Sequence, residues 1–415
     1  MKSDPRKGRT SALVITALLF LVVALNGSGT AARPADLRGT DDAAIKEITV
    51  SFDVVNTNRS AVPCPSDGSR HVVTGHIVGP RSELVGAAER PHLLTVLLTG
   101  FDEGEWTWRF KDVPGYDYPV EMARLGHASL SIDMLGFGAS GHPNGHLVCW
   151  GSQADVLHQI IQQLRRGSYR VLDGSVQPVR FSTVLVSGHD TGPWPTIINA
   201  YTWPGDIDGI SGQILAHQGY TPYIIDIFAR RAAGCALGGQ NHDDPPDDAD
   251  DLTDDPSHGG GYISFGPADE QFSSDLFYEK RADPAVIDAV LGLRNRNPCG
   301  HITSVNATIR MNLLRMSEID VPILLVYPGP DDPVFTRDGQ EQEAANYSGS
   351  DDVTTVWLDS GHFPELEGCA PDFRRLYAHW VHERWQVGMD VPAPTVAPGL
   401  CVTEVRVKEP QTLLP

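Results

Sequence analysis

Val184-Leu-Val-Ser-Gly-His-Asp-Thr-Gly-Pro-Trp194 reads as an apolar strand, a sharp turn between glycines and the start of a helix. Gly188-His189-Asp190-Thr191-Gly192 has the spacing of a nucleophile elbow, G-x-S-x-G, with aspartate in place of serine. Glycines flank such a turn because a β-carbon there would collide with the reversed backbone. The reversal also pushes the central side chain out beyond the sheet end. The competing local reading is a capping aspartate, which satisfies free amides at a helix start.

Working outward, Leu93-Leu-Thr-Val-Leu-Leu98, Ala128-Ser-Leu-Ser-Ile132, Thr183-Val-Leu-Val186 and Ile323-Leu-Leu-Val326 are apolar runs expected of strands covered on both faces. Ile48–Val54 and Val72–Val78 half-alternate, as antiparallel strands near a sheet edge do. Ala154–Leu164 carries apolar residues at three- and four-residue spacing, the signature of a helix. Strands alternating with helices predict an α/β protein with a mostly parallel, doubly wound sheet. At 415 residues, 41% of them hydrophobic, the chain can bury one large core and carry an inserted subdomain.

Met1 to Ala32 has a basic start (Lys2, Arg6, Lys7, Arg9), an apolar run Ser11–Leu25 and small residues, the pattern of a secretory signal peptide. That run is about 15 residues, short of the ~20 needed to span a bilayer, so no stable membrane anchor is expected after signal removal. Six cysteines, Cys64, Cys149, Cys235, Cys299, Cys369 and Cys401, all follow it; in an exported chain they suit up to three disulfides of undetermined pairing. No metal-ligand spacing and no cofactor motif stands out. A formal charge of −21 argues against nucleic-acid partners and anionic membranes.

The expected organisation is a signal peptide (1–32), a first core segment (33–217), a cap insertion (218–320), a second core segment (321–390) and a proline-rich C-terminal tail (391–415) that Cys401 pins back. The cap contains Asp243-Asp-Pro-Pro-Asp-Asp-Ala-Asp-Asp-Leu-Thr-Asp-Asp255. This run lacks the mid-loop glycine and terminal glutamate of a calcium loop and reads as a solvated loop.

Several segments together resemble the α/β-hydrolase superfamily. Leu97-Leu-Thr-Gly-Phe-Asp-Glu-Gly-Glu-Trp-Thr-Trp108 is similar to its oxyanion loop, and Ser131-Ile-Asp-Met-Leu-Gly-Phe-Gly-Ala-Ser-Gly-His-Pro143 to the segment after its fourth strand. Val321–Pro333 is similar to its acid-bearing strand end, and Leu358-Asp-Ser-Gly-His-Phe-Pro364 to its histidine loop. The order nucleophile, acid, histidine is the order that fold uses. The Gly-His-Asp-x-Gly elbow resembles those of epoxide hydrolases and haloalkane dehalogenases. The resemblance implies Asp190 as nucleophile, His362 as base and Asp332 as the acid orienting it, with Asp331 as the alternative. It implies an oxyanion hole at Thr191 and Phe101. Trp106, Trp194, His217, Tyr220 and Tyr223 are candidates to line the substrate site, with the cap tyrosines Tyr220, Tyr223, Tyr262 and Tyr278 as candidate proton donors to an opening ring.

A carboxylate at the elbow changes the electrophile. Attack on an ester carbonyl would leave an anhydride, whereas attack on an sp³ carbon leaves an alkyl ester that activated water can hydrolyse. Thr191 stands where dehalogenases carry a halide-binding tryptophan, which favours epoxides over haloalkanes. Other segments resemble exported bacterial hydrolases with a serine elbow. Three functions are therefore expected: an epoxide-opening hydrolase on a small hydrophobic substrate, a carboxylesterase or lactonase of the same fold, or a ligand-binding homologue without turnover.

Overall fold

The apolar runs assemble side by side. In chain order the strands are β1 (Ile45–Val55), β2 (Arg70–Pro80), β3 (Leu93–Leu98), β4 (Ser129–Ile132), β5 (Arg170–Val171), β6 (Thr183–His189) and β7 (Gly209–Gln213), followed by β8 (Tyr262–Ile263), β9 (Asn297–Pro298), β10 (Ile323–Tyr327), β11 (Val353–Leu358) and β12 (Val402–Val407). The computed structural model describes residues 44–85, 92–174, 176–236, 260–264, 276–277, 280–329 and 333–408, within one compact unit, Gly39–Pro415. The expected signal peptide, the aspartate run 243–255, Tyr278, Asp331 and Asp332 lie outside the described residues.

Ten strands share one sheet in the order β12-β11-β10-β7-β6-β3-β4-β2-β1-β5, while β8 and β9 pair separately. From β11 to β4 all neighbours are parallel; β2 joins β4 antiparallel, and β1 pairs with β2 over its whole length from Ile45↔Pro80 to Val55↔Arg70. The mostly parallel, doubly wound architecture is the one expected. Every residue of β3, β4, β10 and β11 is buried, because helices cover both faces.

The helix Trp150–Arg166 turns Val156, Leu157, Ile160, Ile161 and Leu164 inward and stops at Gly167, whose φ of +62° only glycine adopts without strain. The stretch beyond residue 390 does more than trail. It includes β12, antiparallel on β11, and Cys401 bonds to Cys369. The other disulfides are Cys64–Cys149 and Cys235–Cys299, so all six cysteines are paired. No helix among the described residues is long and apolar enough to cross a membrane.

Between β7 and β10 lie the helices Pro222–Ala236, Pro284–Leu291 and Cys299–Arg315. Phe228 of the first packs edge-on against Phe101 just past the end of β3, ring centroids 5.8 Å apart. This segment therefore reaches the carboxyl end of the sheet, where ligands bind in open α/β folds.

Candidate active site

Strand β6 ends at His189, and Asp190 follows with φ +51°. That left-handed conformation costs a non-glycine residue roughly 1–2 kcal/mol, and it persists because the turn is tied on both sides. Asp190 N–H donates to the Gln213 carbonyl of β7 at 3.0 Å, and Gly192 N–H to the His189 carbonyl at 2.8 Å. A β-carbon on Gly188 would sit 2.6 Å from Pro193 N, and one on Gly192 2.9 Å from the Leu98 carbonyl carbon, so both elbow glycines are dictated by close backbone approach.

The turn aims the Asp190 carboxylate at the oxyanion loop. Its Oδ2 accepts from Phe101 N–H at 3.0 Å and from the Thr191 hydroxyl at 3.0 Å, and the Thr191 backbone amide also hydrogen-bonds to the carboxylate. Gly100 must be glycine for this approach, since a β-carbon would come within 2.2 Å of Oδ2. The Phe101 amide, expected to help cradle an oxyanion, thus holds an oxygen of Asp190 itself, together with the Thr191 hydroxyl. The other oxygen, Oδ1, lies 3.8 Å from His362 Nε2. Burial, and the Glu103 charge behind it, push the Asp190 carboxyl up to about 6, partly offset by the His189 cation and the Phe101 and Thr191 amides. Burial and the same His189 charge hold His362 well below its ordinary value, so its ring is neutral at pH 7.

Gly329, past the end of β10, donates its N–H to the Ser360 carbonyl at 3.3 Å, joining the end of that strand to the loop that carries His362.

Beneath these groups is a charge cluster that no sequence motif announced. His189 is wholly buried; its Nδ1 donates to Glu103 Oε1 at 2.6 Å and its Nε2 to the His362 carbonyl oxygen at 2.7 Å. A ring donating from both nitrogens is an imidazolium. Although burial alone would lower it, the Glu103 and Glu365 charges raise its pKa to about 10. Glu103 Oε2 accepts from Gly100 N–H at 2.8 Å. Glu365, buried with one oxygen 3.9 Å from His189 Nε2, is pushed by burial to about 7.

The segment after β7 grips the oxyanion loop from the other side. Asp102 N–H donates to Asn297 Oδ1 at 2.9 Å, Asn297 Nδ2 returns a bond to Asp102 Oδ1 at 2.6 Å, and Arg294 reaches Asp102 Oδ2 at 2.8 Å. Asn295 Nδ2 donates to the Glu103 carbonyl at 2.9 Å.

The expected lining residues divide. Tyr220, half-buried, packs on Phe335 and across Phe228, which in turn packs on Phe101; burial, then the Glu343 charge and last the Asp190 charge raise its phenol well above the usual range. Tyr223 stands at the start of the same helix as Phe228, and Trp106 is half-buried among Phe110, Phe277 and Phe363. His217 and Trp194 are not at Asp190's carboxylate. His217 Nδ1 donates to buried Glu343 at 2.8 Å and its Nε2 accepts from Asn312 at 2.9 Å, which leaves the ring no free nitrogen for a ligand. Trp194 is 1% exposed and packs edge-on against Trp150, inside the core under the elbow.

Among the described residues no group of three or more His, Cys, Asp or Glu side chains is placed to hold a metal ion. No protein-family model matches the chain, and no curated protein does. Solved structures do match. An esterase from Thermogutta terrifontis is 14% identical, with 80% of this chain and 98% of that one covered at a TM-score of 0.50. The chain has the α/β-hydrolase fold. The esterase EaEST from Exiguobacterium antarcticum is 15% identical over 78% and 98% of the two chains (TM-score 0.49), and the enol-lactonase from Burkholderia xenovorans is 12% identical over 75% and 96% (TM-score 0.47). Within the α/β-hydrolase fold, Asp190 stands at the elbow, Phe101 in the loop after β3 and His362 in the loop after β11.

Proposed function

We propose that the protein is an exported hydrolase that opens epoxides through an alkyl ester on Asp190. One observation carries this reading: the Asp190 carboxylate is divided, with Oδ2 in the oxyanion cradle and Oδ1 turned toward His362. Oδ1 attacks a ring carbon as the carbon–oxygen bond breaks, and the departing oxygen takes a proton from Tyr220 or Tyr223. Oδ2 is then the carbonyl oxygen of the ester, already against the Phe101 and Thr191 donors. His362 Nε2, its ring oriented by Asp332 or Asp331, takes a proton from water as that water adds to Cγ. The developing charge falls on Oδ2, where preorganised donors are worth ~2.7–4 kcal/mol each. Collapse releases the diol and restores the carboxylate, one of whose oxygens now comes from water, and the proton taken up by His362 passes back to the tyrosinate, so that both groups return to their starting states.

Thr191 supports epoxides over haloalkanes, because its hydroxyl already donates to Asp190. An esterase or lactonase cycle needs the substrate carbonyl in the cradle, which Oδ2 fills. A binder without turnover would retain the apolar wall of Phe101, Phe228 and Tyr220 but has no use for the neutral His362. Single turnover of styrene oxide in ¹⁸O-water tests the proposal: label is expected in the Asp190 carboxylate and none in the first-turnover diol. Product oxygen drawn from bulk water in that turnover would overturn it, and p-nitrophenyl ester hydrolysis lost in Asp190→Asn, with no epoxide opening, would favour the esterase.

A further inference from the structure

Glu103 and His189 form a rod through the floor of the site. It runs from Gly100 N–H to Glu103 Oε2 (2.8 Å), from Glu103 Oε1 to His189 Nδ1 (2.6 Å), and from His189 Nε2 to the His362 carbonyl oxygen (2.7 Å). Each end bears directly on a reacting group. Gly100 immediately precedes Phe101, whose N–H holds Asp190 Oδ2, and the far end is the backbone of the base itself. His189, in the middle, is the residue before the nucleophile. Both side chains are at most 2% exposed, so water does not compete for these bonds.

We infer that Glu103 and His189 are positioning residues: a clamp that fixes the oxyanion loop, the elbow and the base loop relative to one another, by its length and not by its charge. The ring at its centre stacks on Phe363 at 4.9 Å and meets the His362 ring edge-on at 5.1 Å, so it cannot turn without displacing the base loop. A misplacement of about 1 Å at a reacting group costs on the order of 10²-fold in rate. The clamp would hold whatever chemistry Asp190 performs; its effect on turnover rests on the aspartyl-ester reading.

Two substitutions separate length from charge. Glu103→Asp keeps the negative charge but is one methylene short of joining Gly100 to His189. Glu103→Gln removes the charge yet keeps the span, its carbonyl accepting from Gly100 N–H and its amide donating to a neutral His189 that still reaches the His362 carbonyl. Amide hydrogen exchange at Gly100 and Phe101, read by NMR, needs no substrate and therefore stands even if the epoxide reading fails. We expect Glu103→Asp to accelerate exchange at both amides and to lower kcat on styrene oxide about 10-fold or more with KM little changed. Glu103→Gln should restore the protection and most of kcat. Wild-type exchange in Glu103→Asp, or a loss confined to Glu103→Gln, would overturn the clamp. Melting curves of both variants check folding; should Glu103→Asp fail to fold, the same exchange measurement on His189→Gln, which shortens the rod at its centre, decides the matter, unchanged protection again overturning it.

Discussion

Phe101 and Asp190 are joined by a 3.0 Å hydrogen bond from the backbone amide of the one to Oδ2 of the other, so the residue at the elbow occupies the place where an oxyanion hole was expected. With serine in that place the hole stays open for a substrate carbonyl. On the mechanism proposed above, aspartate puts one carboxylate oxygen there to become an ester carbonyl and keeps the other to attack.

If the ester forms on Oδ1 and His362 serves only its hydrolysis, the two half-reactions can be separated. His362→Gln is expected to leave alkylation running and slow deacylation by about 10²–10⁴-fold, the usual worth of a general base. Intact mass spectrometry after epoxide addition should then show the protein heavier by one substrate, with the adduct on the peptide carrying Asp190. Rapid turnover without an adduct would mean that water is attacked directly.

The pH response follows from Asp190. Only its carboxylate is nucleophilic, and burial followed by Glu103 raises its pKa to about 6, while His362 is already neutral there. The rate constant kcat/KM should therefore rise through an ionisation near pH 6. The linkage sign is that of a raised carboxyl: the stabilisation is complete below the unfolded value near 3.8 and is lost as pH rises through about 6. Asp190→Asn, which has no charge to desolvate, is expected to match the wild type below pH 4 and exceed its melting temperature above pH 6. A constant difference between the two melting curves across that range would contradict the assignment.

Two buried histidines are expected to weaken the fold as the pH falls. Burial lowers His127 to about 4, with His382 adding to the effect, and burial lowers His301, stacked 4.0 Å from the Trp150 ring, to about 3. A depressed histidine contributes stability that is full above the unfolded value near 6.5 and lost as pH falls through the folded value. For His127 the contribution is roughly 3 kcal/mol between those limits. Denaturant unfolding from pH 7 to pH 3 should show this decline, and His127→Phe should flatten part of it.

These histidines also mark how far the sequence could be read. The strands β3, β4, β6 and β10 were legible because their runs are mainly apolar, interrupted by no charge and only by serine, threonine or the turn itself. β7 was not: Gly209-Ile-Ser-Gly-Gln213 holds a single large apolar residue yet is buried throughout. Its small residues answer to packing, since a β-carbon on Gly209 would lie 2.6 Å from the Trp385 ring. The turns after β6 and β3 were legible as turns because close backbone approach demands glycine at Gly188, Gly192 and Gly100. Glu103 and Glu365 were not, because a buried acid leaves no periodic trace and acquires its meaning only beside His189. His217 misled for the converse reason: it follows β7 near the site, but Glu343, 126 residues on, claims it.

The segment after β7 supplies a further test through Asn297. It exchanges two hydrogen bonds with Asp102, whose φ of +60° needs holding. Removing a buried partner of a carboxylate costs about 1.5–3 kcal/mol. Asn297→Ala should lower stability by that amount in urea unfolding and also lower kcat, since Asp102 follows Phe101 directly. Loss of stability with full activity would show that the oxyanion loop holds its shape without this support.

Asp190→Ser separates a redirected enzyme from a broken one. Serine is shorter and uncharged, so Oδ2 leaves the cradle and the amides of Phe101 and Thr191 become available to a substrate carbonyl. His362 Nε2, which faces residue 190, is then in place to activate the hydroxyl. Epoxide opening should disappear, because the serine ether that attack on an epoxide carbon would leave is not hydrolysed by this machinery. Hydrolysis of short and medium p-nitrophenyl esters should appear or rise above the wild-type level. The strained φ of +51° at the elbow should persist, since the bonds from residue 190 to Gln213 and from Gly192 to His189 are backbone bonds indifferent to the side chain. A folded Asp190→Ser protein with no esterase activity, beside a wild type that opens epoxides, would mean that the cradle is shaped to hold a carboxylate and cannot serve a tetrahedral intermediate built on a substrate.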